Sequence, residues 1–139
     1  MTTAREVMHS GAECIKEDQS LLEAAKMMRD MGVGSLPICG MDDKLHGMLT
    51  DRDIVVGCVA EGGDCSSVTA GSMAMGKVYW VDVDTDIDDA LAVMKEHQVK
   101  RLPVMEDHRL VGMISESDIT SQLDNARISD FAQEVYAKN

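Results

Sequence analysis

The stretch Gly47-Met48-Leu49-Thr50-Asp51-Arg52-Asp53-Ile54 decides the reading of this chain, because it returns as Gly112-Met113-Ile114-Ser115-Glu116-Ser117-Asp118-Ile119. Each copy is a glycine, two apolar residues, a hydroxyl, two variable residues, an acid and isoleucine. The glycine and apolar pair read as the end of a short buried strand. The hydroxyl followed three residues later by an acid is a capping-box pattern for the first turn of a helix. Two such strand-to-helix junctions in one small chain imply a duplicated unit.

Working outward, the duplication spans nearly the whole chain. The only two prolines, in Leu36-Pro37-Ile38 and Leu102-Pro103-Val104, lie 66 residues apart. The same offset aligns Thr3-Ala4 with Thr69-Ala70, Ile15 with Val81, Leu21 with Ile87, Ala24 with Ala90 and Met28 with Met94. After the prolines the offset drops to 65, matching Leu45 with Leu110, Gly47 with Gly112 and Asp53 with Asp118. The division expected is a first repeat over residues 1–66, a second over 67–123, and a tail over 124–139 without a counterpart.

Local signals give each repeat the same plan. In the first, Thr3 to Met8 reads as a short helical lead-in and Glu13-Cys14-Ile15 as a brief strand. Ser20 with Glu23 caps a helix that carries Leu21, Ala24, Ala25 and Met28 on one face and stops at Gly32. Ser35 to Cys39 is extended because proline pushes its predecessor out of the helical region. A proline there favours an edge or the start of a strand. Leu45 to Leu49 returns as a hairpin partner, Asp51 to about Glu61 is a second helix, and residues 61–67 are a linker. In the second, Val78 to Val83 is a strand, Asp86 caps a helix, Lys100 to Val104 and Arg109 to Ile114 form the hairpin, and Ser115 begins the last helix. In the tail, Ile128, Phe131 and Val135 fall at helical spacing, an amphipathic helix for its own domain or for a partner.

The chain has 139 residues, 45% of them hydrophobic and 27% charged, a globular balance for one domain or two small repeats. Aromatics are scarce at 3% and methionines number 12, so the core is built from aliphatic residues and adaptable methionine. A net charge of −12 repels phosphate backbones and argues against nucleic-acid partners. No signal-peptide pattern or membrane-length apolar run is present. The expectation is a cytoplasmic protein that does not engage membranes.

The strand–helix–strand–strand–helix repeat, its Leu-Pro-apolar strand and its closing Gly-apolar-apolar-[Ser/Thr]-x-x-Asp-Ile resemble the cystathionine-β-synthase (CBS) domain. Two in tandem look like a Bateman module, from about Thr3 to Leu123. Thr50-Asp51-Arg52-Asp53-Ile54 has the form typical of stand-alone bacterial two-CBS proteins. The resemblance implies an α/β fold of two β-α-β-β-α repeats related by a pseudo-twofold axis, with clefts where the repeats meet. It also implies a regulatory module that binds an adenosine-containing ligand such as AMP, ADP, ATP or S-adenosylmethionine. With no effector domain in the sequence, such a module would signal to an unknown effector protein in trans, or through its own homodimer.

Two readings of the junctions stand side by side. As caps, Thr50 with Asp53 and Ser115 with Asp118 stabilise their helices by about 0.5–2 kcal/mol each and need no ligand. As a site, the hydroxyl donates to a phosphate at the helix N-terminus and the carboxylate accepts from the ribose hydroxyls. By the same resemblance Leu36, Ile38 and Val104 border the adenine. Arg52, Lys100 and Arg101 are the cations that could offset phosphate repulsion in so acidic a chain. Ser117, Lys100 and Arg101 weight the asymmetry toward the second copy, where the first has only Gly34-Ser35.

No nucleophile–base pair, Walker loop or dinucleotide fingerprint suggests an enzyme. His46, His97 and His108 show no ligand-like spacing with Cys58 or Cys65, so no metal site is read. Cys14 in the first strand and Cys39 at the end of the proline strand would allow a disulfide if those strands are neighbours. Reducing surroundings would instead leave four thiols. Trp80, the only tryptophan, is expected to fill a core or an interface. A ligand-free, dimeric stress module, redox- or metal-responsive through its cysteines and histidines, is the alternative function.

Overall fold

The structure, a computed structural model, describes residues 1–74 and 78–137. Residues 75–77, and the last two of the tail, lie outside the described residues. The chain forms two compact units. One comprises Glu13–Val78; the other combines Met1–Ala12 with Tyr79–Asn139.

In the Glu13–Val78 unit, β2 (Ile15–Lys16) runs parallel to β3 (Ser35–Cys39), and β3 pairs antiparallel with β4 (Leu45–Thr50). Helix α2 (Leu21–Met31) connects β2 to β3. The Ser20 hydroxyl accepts from the Glu23 amide at 3.1 Å, and Gly32 ends the helix with φ 68°. The core of this unit gathers Ile15, Leu21, Met28, Leu36, Ile38 and Leu49.

The other unit repeats this plan with β5 (Val81–Asp82), α4 (Ile87–His97), β6 (Arg101–Glu106), β7 (Arg109–Ser115) and α5 (Glu116–Gln122). It adds α1 (Ala4–Val7), β1 (His9–Ser10) and the tail helix α6 (Asn125–Val135). Phe131 and Val135 of α6 are buried in the same core as Leu91 and Met94 of α4. The amphipathic tail therefore packs on its own unit. Arg127 locks it there by bridging Asp88 at 2.7 Å and Asp124 at 3.1 Å, and Lys95 reaches Asp130 at 2.6 Å.

Four features depart from expectation. The lead-ins are exchanged. Ala4 donates to the Thr85 carbonyl at 2.8 Å and β1 pairs with β7, so the N-terminal segment docks on the second repeat. Conversely Ala70 and Gly71, from the start of the second repeat, donate to Gln19 and Glu17 of the first. The compact units therefore differ from the sequence repeats, because each lead-in satisfies its backbone on the other repeat's loops.

The proline strands are central, not edges. Proline is tolerated because β2 and β5 are two-residue strands whose pairing starts only beyond it, at Ile15↔Ile38 and Val81↔Val104. The first strand of each repeat is correspondingly shorter than its apolar pattern. The third departure is the helix expected from Asp51 to Glu61. It is a four-residue α3 (Asp51–Ile54) continued by a wider π-helical turn, Val55–Val59, closed by the Ala60 amide on the Val55 carbonyl at 2.8 Å. Two adjacent β-branched valines and Gly57 weaken the α path here. Last, Trp80 is 45% exposed, which overturns the core half of its expected role and leaves the interface half open. Val81, its neighbour, takes the inward position.

The glycine that opens each junction has a packing reason. A Cβ on Gly112 would meet the His9 carbonyl oxygen at 2.8 Å, and one on Gly47 would meet Ala74 at 3.1 Å. Both glycines lie against an exchanged lead-in, Gly112 against β1 and Gly47 against Ala74.

Candidate functional site

At the first junction β4 delivers Thr50 in an extended conformation, with φ −108° and ψ 160°. Its hydroxyl accepts from the Asp53 amide at 3.0 Å, and Asp53 Oδ2 accepts from the Thr50 amide at 2.9 Å. This is a complete capping box, as the spacing predicts. Arg52 stands exposed between them. The helix that follows is short before it widens, so its dipole adds little positive potential. Side chains, not the dipole, must carry any binding here.

Ser35 is the cross-strand partner of Thr50 in the β3–β4 register. Its residue is only 9% exposed, and among the described residues its hydroxyl has no hydrogen-bond partner. An unpaired buried hydroxyl costs about 1–3 kcal/mol relative to a satisfied one. The sequence marked this position only by what it lacked, the basic pair of the second repeat. Its significance comes from register, which places it beside the Thr50–Asp53 pair.

The second junction has the same backbone and different occupancy. Asp118 Oδ2 accepts from the Ser115 amide at 2.8 Å and from the Ser115 hydroxyl at 2.9 Å. The Ser115 and Ser117 hydroxyls lie 2.9 Å apart. The same Oδ2 also accepts from Nδ1–H of His9 at 2.8 Å, which β1 brings to the end of β7. Tyr136, just past α6, donates from its hydroxyl to Glu116. That bond, with burial, raises the tyrosine pKa above its ordinary value. Lys100 Nζ sits 4.4 Å from the centre of the Tyr136 ring, a cation–π contact. Arg101 is half-buried opposite Ser115 in the ladder.

The two copies are therefore unequal in a sense opposite to the sequence asymmetry. Ser117, Asp118 and Lys100 are engaged by the unit's own side chains. At the first copy, Thr50, Asp53 and Ser35 lack such additional partners among the described residues. His9 and Tyr136 had no local signal, being separated from their partners by 109 and 20 residues. Leu36, Ile38 and Val104 are at most 1% exposed. Their side chains are committed to the two cores, which leaves backbone and neighbouring atoms to face any base.

Cys14 and Cys39 are disulfide-bonded with Cα atoms 5.7 Å apart, within the range a bridge requires. The β2–β3 pairing that aligns Lys16 with Cys39 brings them together. His46 lies at the bulge that both hairpins share, with its ring nitrogens 3.3 Å from Glu17 and 3.2 Å from Asp42. His97 stacks on Tyr79 at 3.5 Å. Among the described residues no group of three histidine, cysteine or acidic side chains could hold a metal ion. No described helix is long and apolar enough to cross a membrane.

The paired βαββα units and their junctions define a CBS-domain pair, and the chain belongs to the CBS-domain family, matched over residues 4–58 and 70–125. Members of this family are generally regulatory modules. The chain is 48% identical to hypoxic response protein 1 of Mycobacterium tuberculosis, covering 97% of this chain and 94% of that one. It is 30% identical to the CBS domain-containing protein YhcV of Bacillus subtilis over 90% of this chain and 89% of that one. A crystal structure of Hypoxic Response Protein I with two coordinated zinc ions superposes with a TM-score of 0.81 at 50% identity. It covers 88% of this chain and all of that one.

Proposed function

We propose that this protein is a regulatory module of the cytoplasm that binds an adenosine-containing ligand (AMP, ADP, ATP or S-adenosylmethionine) and signals in trans to an effector protein. The observation that carries this reading is the unsatisfied, buried Ser35 hydroxyl beside Thr50 and Asp53. The site would use the Thr50 hydroxyl and Arg52 for phosphate, the Asp53 carboxylate for the ribose hydroxyls, and Ser35 as a further donor. Arg52 supplies the local positive charge that a chain of net charge −12 otherwise lacks. Ser115, Ser117, Asp118, Lys100 and Arg101 form the second, self-engaged copy. Binding would act by favouring one conformation over another.

Calorimetric titration against a panel of adenine compounds tests this. Binding that is lost in Arg52→Ala and Asp53→Ala, with the fold intact by circular dichroism, is the expected result. No binding of any adenine compound at millimolar concentration ends the reading.

Homodimerisation belongs to the same proposal. Val55, Val56 and Val59 are 57%, 48% and 57% exposed on one turn, an apolar surface suited to a second copy. A second reading, a metal- or stress-responsive module, draws on the zinc ions in the structure of the 50% identical protein and on the hypoxic-response name. Among the described residues no three such donors converge within one chain, so donors from a second copy would complete a zinc site of this kind. Native mass spectrometry of the protein as purified separates the readings by reporting nucleotide, zinc and subunit number together.

A further inference from the structure

Cys58 and Cys65 place their sulfurs 3.2 Å apart as free thiols. A disulfide bond length is about 2.05 Å, so the two atoms need approach by only about 1 Å to bond. Cys58 is 1% exposed at the inner face of the π-helical turn, and Cys65 is half-buried. The segment that joins them is already folded back. Gly63 donates to the Cys58 carbonyl at 2.9 Å, and Gly62 has φ 74°, the left-handed region that glycine adopts freely. Cys65 is held from the other side, because its carbonyl accepts from the Leu22 amide at the start of α2 at 2.9 Å. Across it, Asp64 accepts from the amide of Ser66 at 3.0 Å and from the hydroxyl of Ser67 at 3.1 Å. Loop closure, the main entropic cost of a cross-link, is thus largely complete before any bond forms.

We propose that Cys58 and Cys65 are an oxidative modification site, a dithiol that a hydroperoxide converts to a reversible disulfide. The half-buried Cys65 is the thiol that meets the oxidant. Cys65 gives up its thiol proton and the thiolate attacks the peroxide oxygen; the S–O bond forms as the O–O bond breaks, and with hydrogen peroxide the departing hydroxide takes up that proton as water, giving a sulfenic acid on Cys65. Cys58 Sγ then attacks Cys65 Sγ. The S–S bond forms, the S–O bond breaks, and the Cys58 proton departs with the hydroxyl as a second water. Two thiols lose two electrons and the peroxide gains them. A dithiol reductant reverses the step by exchange. Geometry assigns the order of events, since Cys58 is too enclosed to meet the oxidant first but lies in contact with the sulfur that does. The product would tie the π-helical turn that continues α3 to the loop held at the N-terminus of α2, both within one unit.

The full-length protein is exposed to a small excess of hydrogen peroxide, quenched, unfolded, alkylated with iodoacetamide and digested with trypsin. Both cysteines fall in the single tryptic peptide of residues 53–77. The expected product is that peptide lighter by two hydrogens, carrying no alkyl group, and restored to two alkyl groups when dithiothreitol precedes alkylation. A peptide that still takes two alkyl groups overturns the proposal. So does one with sulfinic acid on Cys65 and an alkylated Cys58. Cys58→Ala should leave a Cys65 sulfenic acid that dimedone traps, and Cys65→Ser, at the more exposed position, should leave Cys58 resistant to the same peroxide. Rapid oxidation of Cys58 in Cys65→Ser would show that Cys65 does not come first, and would also count against it.

Discussion

The Nδ1–H of His9 donates to Asp118 Oδ2 at 2.8 Å, joining β1 to the acid of the second junction 109 residues later. His9 is half-exposed while the Asp118 side chain is 13% exposed. A ligand that used Asp118 to hold a ribose would have to displace this histidine and break its bond. Nothing comparable engages Asp53 among the described residues. Two junctions with almost the same sequence thus present a carboxylate in two different states.

Replacing His9 should open the second copy. His9→Ala is expected to raise the calorimetric stoichiometry for an adenine nucleotide from one per chain toward two. The stability cost should be small, about 0.2–1 kcal/mol, because the pair is partly exposed. An unchanged stoichiometry of one would show that His9 is not what closes the second copy.

Ser35→Ala separates function from stability more sharply. Removing an unsatisfied buried hydroxyl should leave the ligand-free protein as stable or more so, by up to about 1 kcal/mol in urea unfolding. The same change should weaken nucleotide binding. Thr50→Ala, by contrast, removes a cap and should cost about 1 kcal/mol with or without ligand. A ligand-free protein destabilised by Ser35→Ala would mean that the hydroxyl is already satisfied.

The junction glycines should tolerate alanine poorly, and unequally. Gly112→Ala drives a Cβ toward the His9 carbonyl, which is backbone and cannot rotate away. Overpacking of this kind costs about 1–3 kcal/mol. Gly47→Ala meets Ala74 at a looser 3.1 Å and should cost less. Urea midpoints of the two variants measure the order.

The tail helix should loosen in acid. Arg127, by hydrogen bonding and by charge, holds the Asp88 carboxyl below its ordinary pKa. A carboxylate with a depressed folded-state pKa contributes stability that is present above the unfolded value, near 3.8, and lost as pH falls through the folded value. Protection of the α6 amides against hydrogen exchange, taken relative to the intrinsic rate at each pH, should therefore fall below about pH 4, and Asp88→Asn should flatten that dependence. Phe131→Ala should cost about 3–5 kcal/mol at neutral pH, since its ring is buried against α4.

Counting thiols checks the bridge in the first unit. Unfolded protein should expose two alkylatable cysteines before reduction and four after. Four in both states would mean that Cys14 and Cys39 are not bridged.

Much of the fold was legible because it is local. The capping pairs Ser20–Glu23 and Thr50–Asp53, the helical stripe of Leu21, Ala24 and Met28, and the two proline hairpins each depend on residues a few positions apart. The site was legible to the same extent. Thr50, Asp53, Ser115 and Asp118 could be named from spacing, but Ser35 could not, because its importance arises from facing Thr50 across a ladder. The π-helical turn at Val55–Val59 was also hidden, since it reflects a balance between valine crowding and the packing of Met73 on Gly57.

Sequence alone determined the duplication, the family, and the pair of capped strand-to-helix junctions, since all three are written in short-range pattern. Tertiary structure decided which lead-in docks on which repeat, that His9 takes Asp118, and that Cys58 meets Cys65. It also decided that the tail covers α4. Those outcomes turn on backbone groups and side chains that find partners far away along the chain. Such pairings leave no periodicity behind, only a histidine, a serine or a glycine whose role appears once the partner stands beside it.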